Sequence, residues 1–300
     1  MTVTNKYLKS SISEISNFYK NNTKPPEDMY LNLLMELKVC QLLIPVVFDG
    51  EKLSFPNIEV DDGTSLIPLF TSNDELKKYS DEFESFPNEI AYYIKLVNDY
   101  GFDGILIDVG SDEFCIDNVL LNKIPLTRKV ESDNAFDGEK LRDIALSEKN
   151  KKLKKFIAKE SNFNKFDKLS KILLDSVLLN VVVSEKDLSE FAHNGVIDRN
   201  EADTFTLFTK NSGRDHYGTV YTDTDAIVSF HEDLEFFYYV QVTNKYSVFH
   251  FLLSNDIDGI IINPGTDDYY VPRQVMLRLL NDDLVNTDFA EATRYAFPIE

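Results

Sequence analysis

Three hundred residues, 43% of them hydrophobic and 12% aromatic, exclude a chain disordered throughout and leave room for two cores of ordinary size. Lysine and arginine number 31 against 51 acidic residues, and the formal charge of −20 disfavours duplex nucleic acid and anionic membrane surfaces as partners. The two cysteines, Cys40 and Cys115, stand alone in apolar contexts and read as small core residues rather than a redox or metal pair.

The stretch from Met1 to Lys20 is polar and mixed in charge. It lacks the apolar core of a signal peptide, so a cytoplasmic location is the expectation. After Pro25-Pro26, the spacing of Tyr30, Leu33, Leu34, Leu37 and Cys40 predicts an amphipathic helix. A strand over Leu42 to Phe48 and a turn at Asp49-Gly50 follow, and strands near Asn57 to Val60 and Leu66 to Phe70 complete a small meander. Ser72 and Glu75 fit a capping box for a short helix, Asn73 to Tyr79. Ile90, Tyr93, Ile94 and Val97 mark a longer helix closed near Gly101. Gly104 to Ile107 is a continuous apolar run, as in a strand buried on both faces, and Phe114-Cys115-Ile116 returns as its hairpin partner.

Residues 125–164 are polar and predict a helical linker, with a helix from Gly138 to Lys159. Six lysines fall between Lys149 and Lys159. They fit either a docking patch for an acidic partner or a solvated helix face, and the solvated face is the expectation.

The second half follows the same plan. A helix carries Phe166, Leu169, Leu173 and Val177. Strands Leu179 to Val183, Thr204 to Phe208 and Tyr217 to Tyr221 precede a helix Thr224 to Phe230, for which Thr222 and Asp225 are the expected cap. A strand Phe236 to Val242, a helix Tyr246 to Leu253, a second buried hairpin and a helix Gln274 to Leu280 end the unit. An insertion at Ser184 to Asp203 has helix-cap signals at Asn194-Gly195 and at Asp198 and Glu201. Its acidic run, Asp198 to Asp203, lacks the glycine and distal glutamate of a calcium loop.

Three segments recur in the same order in both halves. Asp103 to Phe114 matches Asp258 to Tyr269 without a gap, Phe70 to Leu76 matches Tyr221 to Ile227, and Leu42 to Val47 matches Leu178 to Val183. Self-similarity of this kind predicts one structural unit present twice.

The four histidines, His193, His216, His231 and His250, form no metal-binding spacing. No nucleophile elbow, phosphate loop or dinucleotide fingerprint occurs. Asn211 to Asp215 reads as a hairpin tip. Two acidic turns, Asp112-Glu113 and Asp267-Asp268, offer duplicated carboxylates. Hairpin turns favour Asp for backbone hydrogen bonding alone, and that reading is preferred to cation binding or acid–base work.

Pro68-Leu69-Phe70-Thr71-Ser72 before the short helix, and Asp258-Gly259-Ile260-Ile261-Ile262-Asn263-Pro264-Gly265 at the closing turn, resemble the SseB-like family, named for enhanced serine sensitivity. The first half departs at the turn, with Asp108-Val109-Gly110, and the second at the earlier phrase, with Tyr221-Thr222-Asp223, as two diverged copies would. The resemblance implies an α/β module without assigned catalytic residues.

The expectation is therefore an α+β protein: two tandem copies of a small mixed-sheet module flanked by helices, at residues 1–124 and 165–300, joined by the helical linker 125–164. A non-enzymatic adaptor or regulator with a protein partner is the leading function, with no catalytic residue and no cofactor. The alternatives are a small-ligand or metal-binding protein using Asp112, Asp267, Asp268 or a crevice between modules, an immunity-type inhibitor of a basic partner, and an enzyme assembled from residues distant in sequence.

Overall fold

The structure, a computed structural model, describes residues 3–50, 52–60, 63–124, 148–159, 166–184, 192–193, 196–197, 206–207, 209–213, 215–230, 237–243, 245–281 and 296–298. The fold is α+β, and the chain divides into two compact units. One comprises Met1–Thr127, Ser254–Asp256 and Asn281–Glu300, the other Arg128–Leu253 and Ile257–Leu280.

The first unit opens with α1 (Lys6–Lys20), which the sequence reading left without an element. Leu8, Ile12 and Ile15 recur at helical spacing and are buried. Helix α2 (Glu27–Val39) starts behind Pro26 with Glu27 and Asp28 in its first turn, where carboxylates oppose the helix dipole. Strand β1 (Gln41–Asp49) pairs antiparallel with β2 (Lys52–Ser54). Strand β3 (Ile58–Glu59) pairs with β4 (Ser65–Leu69), and helix α3 (Asn73–Tyr79) has the predicted bounds. Strand β5 (Glu84–Glu89) lines the other part of β1, Gln41↔Glu89 through Val46↔Glu84. The expected meander is thus corrected. Strand β1 forms a sheet of its own with β2 and β5, and the isolated bridge Leu43↔Phe70 ties it to the residue just after β4.

Helix α4 (Ile90–Tyr100) closes at Gly101, whose φ of 72° is the left-handed cap that glycine adopts without strain. Strands β6 (Gly104–Ile107) and β7 (Phe114–Asp117) form the hairpin, and β6 also runs parallel to β4, Leu66↔Gly104 through Leu69↔Ile107. All four β6 residues are buried, as the continuous apolar run requires. A short α5 (Asn118–Leu121) follows.

The second unit begins with α6 (Glu148–Ile157), inside the segment expected to be a linker. It is no free connector. Its Asn150, Leu153, Phe156 and Ile157 are buried within this unit. Helix α7 (Phe166–Asp175) leads into β8 (Leu178–Ser184). The insertion contributes β9 (Ala192–His193) paired with β10 (Val196–Ile197). Its proposed caps at Asn194-Gly195 and Asp198–Glu201 lie outside the described residues, as does His231. Strands β11 (Thr206–Leu207) and β12 (Thr209–Ser212) replace one expected strand. Strand β13 (Asp215–Val220) pairs with β12 about Gly213, which takes the positive φ of 65° that the hairpin tip needs. Helix α8 (Thr224–Phe230), strand β14 (Phe237–Thr243) and helix α9 (Lys245–Leu253) follow. Strands β15 (Gly259–Ile262) and β16 (Tyr269–Pro272) form the second hairpin, and α10 (Arg273–Leu280) follows it.

Pairings in the two units correspond. Strand β15 is parallel to β13 and antiparallel to β16, as β6 is to β4 and β7. Strand β14 lines β8 as β5 lines β1, and the bridge Leu179↔Tyr221 answers Leu43↔Phe70. The last strand, β17 (Ala296–Pro298), belongs with the first unit rather than with the 165–300 module: it pairs with β7 and buries Ala296 in that unit's core.

Candidate functional site

In each unit a buried polar cluster forms where the parallel strands end and the first helix begins. In the first unit, Asp108 follows β6 in the left-handed region (φ 54°), which Asp and Asn tolerate better than other side chains. Its carboxylate accepts from the backbone N–H of Thr71 (2.8 Å) and from the Thr71 hydroxyl (2.6 Å). Asp108 and Thr71 are both buried. Burial pushes the Asp108 carboxyl above the usual carboxylate range, while the two bonds from Thr71 oppose that shift.

Asn5, just ahead of α1 and also left-handed, does not cap its helix. Its amide donates instead to the carbonyls of Gln41 (2.5 Å) and Thr71 (3.0 Å). One side chain thereby ties the start of β1 to the segment after β4. One turn along α1, Lys9 reaches Glu75 of α3 at 2.6 Å. Glu75 also accepts from Lys78 and from the Ser111 hydroxyl, both at 2.8 Å. Burial raises the Glu75 carboxyl, but Lys78, Lys9 and Ser111 together outweigh it and hold the group at about 2. The expected capping box is accordingly half made. Ser72 accepts from the Glu75 N–H, while the Glu75 side chain is held by the two lysines and Ser111.

The second unit repeats these contacts with different chemistry. Asn263 (φ 53°) stands after β15 and accepts from the Thr222 N–H at 2.9 Å. Its amide lies 2.9 Å from the Thr222 hydroxyl. The Asn150 amide donates to the carbonyls of Val177 and Thr222, each at 2.7 Å, and its oxygen accepts from the Val177 N–H at 3.0 Å. Lys154, one turn on, pairs with Asp223 at 2.7 Å. Asp223 is the cap of α8, accepting from the Ala226 N–H at 3.0 Å, so the expected Thr222–Asp225 cap moves by one residue. Burial raises the Asp223 carboxyl, and Lys154, the Ala226 N–H and Thr222 bring it below its ordinary value.

The acidic turns sit beside these clusters. Glu113 accepts from the Gly110 N–H at 2.8 Å and Asp268 from the Gly265 N–H at 3.0 Å, which is the turn-building role expected of them. Asp267 accepts from the Asn263 amide at 2.7 Å, and Asp112 is exposed. Asp267 and Asp268 share one turn, whereas Asp112 lies in the other unit. Among the described residues no group of three or more His, Cys, Asp and Glu side chains is arranged to hold a metal ion. His216 is exposed on β13 and His250 partly buried on α9. No helix among the described residues is long and apolar enough to cross a membrane.

The sequence reading missed Asn5, Lys9, Asn150 and Lys154. A signal was present. Asn5-Lys6-Tyr7-Leu8-Lys9 and Asn150-Lys151-Lys152-Leu153-Lys154 differ at one position in five. In both, Asn and Lys make the polar contacts while Leu8 and Leu153 are buried.

Thr71, Glu75, Asp108 and Ser111 all lie on one stretch of the chain that a family model matches. Residues 21–116 match the family model for the SseB protein N-terminal domain. The SseB-like stretch runs from just ahead of α2 into β7, so Asn5 and Lys9 bind it from outside its bounds. No curated protein and no solved structure gives a significant match to the chain.

Proposed function

We infer that the chain is a tandem pair of SseB-like modules acting in the cytoplasm as a non-enzymatic adaptor, a scaffold that binds another protein. One observation carries this reading: the polar cluster keeps its hydrogen bonds in the second unit while its proton-active groups change. Asp108 corresponds to Asn263, and Glu75 corresponds to Ala226. An amide does not titrate as a carboxylate does, so the Asp108 position carries no shared acid–base work, and the carboxylate that each cluster keeps, Glu75 or Asp223, is tied up by a lysine. Their common feature is the tying together of three backbone segments, a structural task. The first unit also carries exposed apolar side chains, Val47 and Phe48 at the end of β1 and Phe86 on β5, of the kind that mark protein contacts when grouped.

The test is recovery of tagged protein from its native cells, as wild type and as Asp108→Asn. The adaptor reading expects one reproducible, stoichiometric partner with both forms. It also expects the variant to stay within about 1 kcal/mol of wild type in urea unfolding, because Asn263 already fills the equivalent position. Failure of wild type to retain any partner at stoichiometric yield would overturn the reading.

A further inference from the structure

We propose that the outward side of α6 and of the turn that follows it, built on Lys152 and Lys155 in the helix and Lys159 in the turn, is a docking surface for an acidic, Asp/Glu-rich segment of a partner protein. This rests on the adaptor reading and names the surface and the chemistry of what it binds.

Helix α6 has two distinct sides. Asn150, Leu153, Phe156 and Ile157 face inward, and Lys154 is held by Asp223. Lys152, Lys155 and Lys159 are exposed, and none makes an ion pair within the described structure. Lys151 and Lys155 stand one turn apart on α6, a like-charge arrangement that works against the helix, and Lys159 follows in the turn just past its end. Nothing from Lys149 to Lys159 is acidic, in a chain whose net charge is −20.

The first unit supplies an internal control. Setting Asn150 on Asn5, which reach corresponding carbonyls, and Lys154 on Lys9, each paired with a carboxylate at the start of a short helix, α8 or α3, aligns Lys152, Lys155 and Lys159 with Tyr7, Ser10 and Glu14. Helix α1 does the same structural work without a basic face. The three lysines are therefore not a requirement of the fold, and a departure from local stability that the fold does not need marks a functional surface.

Charge complementarity selects an anionic occupant, and the charge of the whole molecule narrows it. A nucleic acid or an anionic bilayer presents charge far beyond one helix and meets the repulsion of the entire acidic chain. A short acidic segment covers only α6, about 15 Å long for ten residues, and meets the local positive field within a Debye length.

The experiment uses the full chain and a fluorescent peptide of about 15 glutamates as probe, read by anisotropy at low salt and at about 0.15 M salt. Wild type is expected to bind, more weakly at the higher salt. Lys152→Glu/Lys155→Glu/Lys159→Glu is expected to bind roughly tenfold more weakly or worse. Lys20→Glu/Lys77→Glu/Lys95→Glu, an equal charge change on exposed lysines of the first unit, is expected to stay within about twofold of wild type. A Gln triple at 152, 155 and 159 replaces the Glu triple if circular dichroism shows that the latter has lost its fold. Absence of binding by wild type, equal weakening in both Glu triples, or tighter binding of a single-stranded oligonucleotide or of phosphatidylserine vesicles would overturn the proposal. If the α6 triple still retains the stoichiometric cellular partner, the lysine surface fails while the adaptor reading stands; if wild type retains none, the adaptor reading itself fails.

Discussion

Glu75 shows how one side chain couples the cluster to pH. It is held at about 2 against an ordinary 4.5, so its stabilising contribution is fully present above pH 4.5 and is lost as the pH falls toward 2. Lys9 and Lys78 are partly solvated, which limits the contribution to the order of 1–2 kcal/mol. Asp108, raised by burial, acts in the opposite sense, because the folded state takes up its proton more readily than the unfolded chain does. The comparison is wild type against Glu75→Gln, which keeps the burial of Asp108 and removes the Glu75 charge that helps to raise its carboxyl. The stability difference measured by urea unfolding is expected to be near its maximum at pH 6 and to shrink steadily between pH 4.5 and 2. Residues of this kind were only half legible in the sequence. Ser72 and Glu75 announced a cap, but Glu75 turns to Lys9 and Ser111, partners that only the folded chain brings near.

At the scale of elements, the recurring Asp-Gly ahead of each buried strand has a steric cause. A Cβ on Gly104 would lie 2.3 Å from the Ile116 carbonyl oxygen, and one on Gly259 would lie 2.5 Å from that of Val271. Both obstacles are backbone of the hairpin partner, which cannot turn aside as a flexible side chain does. Gly104→Ala and Gly259→Ala are each expected to cost about 2–4 kcal/mol, read as a fall in the urea midpoint with an unchanged slope. Gly50→Ala would meet no neighbour within 4 Å and carries only the strain of its φ of 64°, so it is the milder control. The hairpins, α3, α4 and α8 were readable because each carries its own signal: a continuous apolar run, a capping residue, a helical stripe. Strand β5, Glu84 to Glu89, was not. It contains Pro87 and an alternation too weak to read, and it is a strand only because β1 pairs with it. Strand β17 spans three residues and finds its partner, β7, far back in the chain. Helix α1 had a usable stripe in Leu8, Ile12 and Ile15, obscured by serines and asparagines of low helix propensity.

At the scale of the whole molecule, two units with corresponding strand pairings each carry an Asn-Lys helix clipped across the first strand and the strand-to-helix junction. The duplicated hairpin was legible because strand and turn lie within a dozen residues. The clip joins segments tens of residues apart, and its only linear trace is a five-residue likeness between Asn5–Lys9 and Asn150–Lys154. The clip sits directly beside the bridges Leu43↔Phe70 and Leu179↔Tyr221, whose paired N–H and C=O groups are 2.8 to 2.9 Å apart.

Those bridges give the most direct measurement of whether the two clips do one job: amide hydrogen exchange on Asn5→Ala and Asn150→Ala. The amides of Leu43 and Phe70 are expected to exchange at least about tenfold faster in Asn5→Ala, and those of Leu179 and Tyr221 in Asn150→Ala, in line with about 1–3 kcal/mol for leaving buried carbonyls without a donor. Wild-type exchange at either pair of bridge amides in the matching variant would contradict it.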